Sequence, residues 1–274
     1  MGARVRRDRR HAGRPGFLIA LPRVLDGLLG ATGPAAGLPA ELGPDLGALA
    51  DPALPAFQRS VLDLLAGGGG GGGSTGLTAV CMLLLGALAV TTDFRTGGVV
   101  PTALVQPSRL RVLAGKAGAT ATVALLVGAG LVVVSAAGLL VALTTTPDAR
   151  LALPAGEVLG IWARGLAVLV LLAWFGLGLG TLVRGQVATI VVVGALVLLE
   201  PLVRGAVALL SGGTSAAAEW LPLGLGSLAS AGPGAGGLLA GAPFGAAVAL
   251  AGLAAWAAVL LGGGAWSFVR RDVV

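Results

Sequence analysis

The sequence predicts an all-α polytopic membrane protein. Three observations carry that prediction. Only 11% of the residues are charged while 56% are hydrophobic. Four long stretches carry no charge at all: Ala117–Pro147, Gly165–Val183, Gly185–Leu199 and Trp220–Val269. None of them shows the polar–apolar alternation of a barrel strand. A soluble domain carries roughly 25% charged residues. This chain therefore lacks the charge to cover a globular surface, and its mean hydropathy of +0.95 turns most of that surface toward lipid. An ordinary soluble enzyme is excluded, as is a charge-rich disordered chain. The net charge of +6 would point a soluble protein toward nucleic acid. Here the basic residues cluster between apolar runs, as in the cytoplasmic loops of membrane proteins, and no nucleic-acid partner is expected.

The chain opens with an Arg-rich arm over residues 1–16, holding Arg4, Arg6, Arg7, Arg9, Arg10 and Arg14. Residues 17–74 follow, with Phe17–Gly30 (FLIALPRVLDGLLG) as a weak first helix. Pro22 interrupts it, and Arg23 and Asp26 together would cost about 5 kcal/mol at mid-bilayer. Its chemistry fits an interfacial amphipathic helix better than a span. Ala31–Gly73 is rich in Pro, Gly and Ala and ends in the seven glycines Gly67–Gly73, a flexible linker and not a phosphate cradle. Within it, Leu54, Phe57, Val61, Leu62 and Leu65 fall near helical spacing, which predicts a short interfacial helix in Asp51–Ala66.

Residues 75–274 form the membrane domain. A spanning helix needs about 20 mainly apolar residues, and five clear spans are expected: Thr75–Thr92, Ala117–Leu143, Glu157–Val183, Val187–Val203 and Phe244–Phe268. If the segment from Asp93 to Lys116 is cytoplasmic, seven basic residues lie inside (Arg95, Arg109, Arg111, Lys116, Arg184, Arg270 and Arg271) against Arg150, Arg164 and Arg204 outside. The positive-inside rule prefers that orientation, with the C-terminus cytoplasmic. The basic arm should also stay inside. Either Phe17–Gly30 then crosses with help from its neighbours or the start of the chain is atypical.

No catalytic constellation is visible. Cys81 is the only cysteine and His11 the only histidine, so no multi-cysteine metal site, His-based triad or zinc site is expected. The only Gly-Lys pair, Gly115–Lys116, has Leu110 where a phosphate loop needs its first glycine. If ATP is used, a partner must bind it. FGLGLG at Phe175–Gly180 lies inside a span and follows no strand. Its Gly176 and Gly180 form a G-x-x-x-G, the spacing that lets membrane helices approach closely.

The segment from Asp93 to Lys116 carries most of the interior charge. Asp93 and Arg95 stand just beyond a helix end, Gly97–Gly98 permits a sharp turn, Pro101 suits the first turn of a short helix, and Pro107 ends it. The residues alone allow either an interfacial loop with snorkelling arginines or a docking element for a soluble partner. Glu200, followed by Pro201, ends a span. Intramembrane carboxylates are functional candidates, and Arg164, on the same side, is a candidate to pair with it along a translocation path. Trp162, Trp220 and Trp266 fall near the expected interfaces.

Here the sequence resembles the membrane-spanning permease subunit of type-2 ATP-binding cassette (ABC) transporters, in the form common in actinobacteria. Asp93, Phe94, Arg95, Thr96 and Gly97 match the family's acidic-aromatic-Arg-x-Gly start after its second span. Pro107, Ser108 and Arg109 match its Pro-x-Arg step, and Gly115–Lys116 the start of its third span. GLGLGTLVRG, LLEPLV, EWLPLG and WSFVRRDVV follow in the family's order. Asp93 stands for the more usual Glu, and Gly98 for the usual Thr. The resemblance covers roughly Thr75 to Val274. It implies a six-helix permease in the plasma membrane, not itself an enzyme, in which two permease copies, identical or not, join two ATPase subunits that bind ATP and magnesium. It implies further that the loop holding Asp93, Arg95, Thr96, Gly97, Pro107, Arg109 and Lys116 contacts the ATPase, and that the cargo is exported. The alternative is a membrane anchor or immunity-type subunit with the same helices and no ATPase cycle.

Overall fold

The computed structural model describes residues 52–65, 76–96, 109–146, 149–210, 220–231 and 245–270. The expected helix at Phe17–Gly30, the Gly67–Gly73 run and residues 97–108 lie outside the described residues. The chain divides into two units, Met1–Ala50 and Asp51–Val274, and every described residue belongs to the second. Among the described residues there are seven helices and no strand: α1 (Pro55–Leu62), α2 (Leu77–Thr96), α3 (Arg109–Thr145), α4 (Ala155–Val183), α5 (Gln186–Leu210), α6 (Pro222–Ala231) and α7 (Ala246–Arg270).

Four of these helices are long and apolar enough to cross a membrane, over Leu110–Thr145, Ala155–Val183, Gln186–Val207 and Ala246–Ser267. Each contains one of the expected spans or most of it. The remaining expected span, Thr75–Thr92, falls in α2, whose apolar stretch Leu77–Asp93 is shorter. At 1.5 Å per residue it reaches about 26 Å, somewhat less than the ~30 Å hydrocarbon layer.

The bundle is built around α4. Val168, Leu169, Leu172, Ala173 and Leu177 on that helix are fully buried, while α3, α5 and α7 turn Leu126, Val134, Val191, Leu202 and Val259 outward. Lipid is the solvent those outer faces suit. The direction of each neighbour follows from its contacts with α4. A Cβ at Gly176 would meet Leu83, and one at Gly180 would meet Ala87, so α2 runs parallel to α4. The Phe175 and Trp256 rings lie 6.5 Å apart, and Gly178 faces Leu260, so α7 is parallel too. Gly128 faces Leu166 and Leu169, and Trp174 donates from Nε1 to the Ala117 carbonyl at 2.9 Å, so α3 is antiparallel. Between α4 and α5 the chain reverses through Arg184, the sole non-glycine residue with a positive φ (61°) among the described residues.

One end of the bundle therefore gathers the C-termini of α2, α4 and α7 with the N-termini of α3 and α5. It holds Lys116 and Arg184, and the helix dipoles favour cations at the three C-termini. The glycine pair read in the sequence as a packing motif does pack: Gly176 faces α2 so closely that an added Cβ would lie 2.0 Å from the Leu83 carbonyl oxygen.

The other end is closed by α1 and α6. The short helix expected in Asp51–Ala66 is present as α1, and Leu62 packs with Leu139, Leu153 and Ile161. Gln58 is fully buried on the same stripe. It donates to the carbonyls of Pro52 (3.0 Å) and Arg150 (2.8 Å) and accepts from the Ala152 N–H (2.9 Å). Arg59 pairs with Glu157 at 2.7 Å, each side chain about a third exposed, which limits the pair to roughly 0.5 kcal/mol.

Asp63 joins this strap to α6: its carboxylate accepts from the Ser230 hydroxyl and from the Leu65 N–H. Burial raises its carboxyl above the ordinary 3.8, and those two donors pull it partly back. A raised folded-state value means that the folded protein holds a proton the unfolded chain has released. The contribution of Asp63 to stability is then fully present below about pH 4 and is lost as pH rises through the folded value. Asp63→Asn keeps an acceptor oxygen and removes the titration. Its thermal midpoint in detergent is expected to lose that acid-range dependence.

Candidate functional site

The basic end carries the sequence-predicted site. Asp93 lies in the last turn of α2 and Lys116 two turns into α3. Lys116 Nζ stands 2.6 Å from Asp93 Oδ2 and also donates to the Ala89 carbonyl at 2.6 Å. One ammonium thus ties both feet of the intervening loop together. Beneath it Val90, Leu113 and Leu177 form a small buried cluster against Ala117, Leu261 and Ala265, so the bridge rests on packed apolar side chains. The two charged side chains are 24% and 34% exposed, within reach of water and of a partner surface.

Arg184 braces the same end from the other side. Its N–H bonds to the Gly180 carbonyl at 3.0 Å and ends α4, and its Nη2 donates to the Ser267 carbonyl on α7 at 2.9 Å. At 1.5 Å per residue α3 is about 55 Å long, against 40–45 Å for a bilayer with its headgroups. If it crosses a bilayer, the helix either tilts or extends past the headgroups.

Of the predicted contact residues, the structure brings Asp93 and Lys116 together. Arg95 and Thr96 complete the backbone of α2 and Arg109 begins α3. Gly97 and Pro107 lie outside the described residues.

The candidate pair at the opposite end does not meet. Glu200 is 4% exposed, and its Oε1 accepts the Gly224 N–H at 2.6 Å. Gly224 stands at the third position of α6, where a backbone N–H has no partner within the helix, so the carboxylate caps that helix and complements its dipole. The Arg204 guanidinium lies over the same glycine: a Cβ there would sit 3.1 Å from its carbon. Arg164 instead folds back along α4 to Gly160, where an added Cβ would be 3.2 Å from its Nη1. Its Nε is buried with no hydrogen-bond partner among the described residues.

Gln58, Asp63, Ser230 and Arg204 were not singled out by the sequence. A signal existed for Gln58, which stands four residues after Leu54 and four before Leu62 on the apolar stripe. For the others the partners are far away in sequence.

Among the described residues, no group of three or more His, Cys, Asp or Glu is placed to hold a metal ion. No protein-family model matches this sequence, and no curated protein matches it.

Proposed function

We propose that the chain is the permease subunit of an ABC exporter, with a separate ATPase that supplies ATP binding and hydrolysis. The observation that carries this reading is the Asp93–Lys116 bridge, which joins the two feet of the loop that resembles the family's ATPase-contact segment. A loop with tethered feet moves as a unit with its helices. A push from a partner on residues 97–108 would reach α2 and α3 together, and through the tight seam between α2 and α4 it would reach the bundle's central helix. The net excess of basic residues at this end fits a cytoplasmic face in the plasma membrane. In this reading the α2 segment and the weak Phe17–Gly30 helix complete six spans, and a second permease copy completes the pathway. The cargo is an unidentified compound, released outward.

The test is recovery of the partner. C-terminally tagged protein solubilised from its native membranes is expected to carry a soluble ATPase, identified by its phosphate loop, in about equal amount. Arg95→Glu and Arg109→Glu should each lower that recovery roughly tenfold with membrane insertion unchanged. Full recovery with both variants would remove the loop assignment. Well-folded protein with no ATPase would favour an anchor or immunity-type subunit.

A further inference from the structure

We propose that Arg164 binds the phosphate of a phospholipid headgroup, in the leaflet at the end closed by α1 and α6. The inference rests on where the guanidinium lies and on what is left to neutralise it. The 29 residues of α4 extend about 43 Å at 1.5 Å per residue. The hydrocarbon layer takes about 30 Å of that, which leaves roughly 7 Å of helix in each headgroup layer. The Arg164 Cα is nine residues in, about 13 Å from the helix start, and so lies at hydrocarbon depth. Its side chain runs back to Gly160, which is about 7 Å from the start, the level where hydrocarbon gives way to headgroups. Snorkelling accounts for that direction. It does not supply the anion.

Among the described residues, the acids at this end are engaged elsewhere. Glu157 pairs with Arg59, Asp63 accepts from Ser230 and Leu65, and Glu200 caps α6. Arg164 makes no ion pair with any of them among the described residues, and its Nε is both buried and without a hydrogen-bond partner. The anion present at that depth in any bilayer is the phosphodiester, which a guanidinium fork engages with paired, charge-assisted hydrogen bonds. The proposal concerns the lipid and is independent of whether an ATPase docks at the other end.

Native mass spectrometry of the intact detergent-purified protein tests it, with phosphatidylglycerol and diacylglycerol of the same acyl chains as probes. Wild type is expected to retain phosphatidylglycerol about tenfold better than diacylglycerol. Arg164→Gln should lower phosphatidylglycerol occupancy at least about fivefold, and Arg164→Lys should restore part of it. Arg150→Gln, an exposed arginine at the same end, should leave it unchanged. Equal retention of the two lipids by wild type would overturn the proposal without any variant, which covers the case of an Arg164→Gln protein that does not fold. Unchanged occupancy in Arg164→Gln would overturn it as well. Displacement of the lipid by inorganic phosphate would assign the site to a soluble anion instead.

Discussion

Gly176→Ala is expected to be among the most damaging single-methyl additions in the bundle. The new Cβ would lie 2.0 Å from the Leu83 carbonyl oxygen, 2.9 Å from its carbon and 3.1 Å from the Leu83 Cα. All three are backbone atoms of α2, so no rotamer change relieves the clash and the two helices must separate. Overpacking of this kind costs about 1–3 kcal/mol, occasionally more, and with backbone on the receiving side we expect about 3 kcal/mol. At 2–4 °C per kcal/mol for a domain of this size, the thermal midpoint in detergent should fall by about 6–12 °C. Gly194→Ala on α5 is the control. Nothing lies within 4 Å of a Cβ there, and the change should be neutral or slightly stabilising through helix propensity. Equal midpoints for the two variants would show that the α2–α4 seam has slack that the structure does not.

Replacement of Glu200 by leucine is expected to have the next largest effect. A hydrogen bond to a charged acceptor is worth about 1.5–3 kcal/mol. Losing it also strands the Gly224 N–H in a buried site and removes the negative charge from the start of α6. We expect Glu200→Leu to lower the midpoint by about 3–12 °C. Glu200→Gln keeps an acceptor oxygen and should stay near wild type. The same pair of variants separates a capping role from a role in the export pathway. If the carboxylate serves the cargo, Glu200→Gln will cut transport at an unchanged midpoint. If it serves α6, transport will follow stability.

The long apolar runs made four helices long enough to cross a membrane legible from sequence, because in lipid only helices and closed barrels satisfy the backbone and charges mark the ends. The predicted span starts at Ala117 and Glu157 lie inside longer helices, whose apolar stretches begin at Leu110 and Ala155, because a charge bounds each predicted span whereas a helix backbone tolerates charged residues beyond an apolar run. The sequence makes Asp93 and Lys116 the bounds of a loop, with Asp93 just beyond a helix end; both instead lie inside helices, because α2 runs on to Thr96 and α3 begins at Arg109, and their direct contact was not legible. Gly176 was legible as a packing glycine, but its partner helix was not, since a G-x-x-x-G specifies a close approach and not what approaches. Glu200 was legible as a candidate and its neighbour was not: proximity to Arg164 on the same side is a statement about depth, whereas the helix that Glu200 meets is α6, twenty-four residues on. Asp63 and Ser230 carry no local pattern at all, and only the packing of the strap brings them together.

The parallel course of α2 and α4 also bears on biogenesis. Two helices that touch along a glycine seam are separated in the chain by all of α3, and 87 residues lie between the end of α2 at Thr96 and the end of α4 at Val183. At ~5–20 residues per second, a ribosome needs about 4–17 s to make them. During that interval α2 exists without the helix that buries Leu83 and Ala87. The nascent chain in this window is the form in which a membrane protease or an insertase would meet α2 alone.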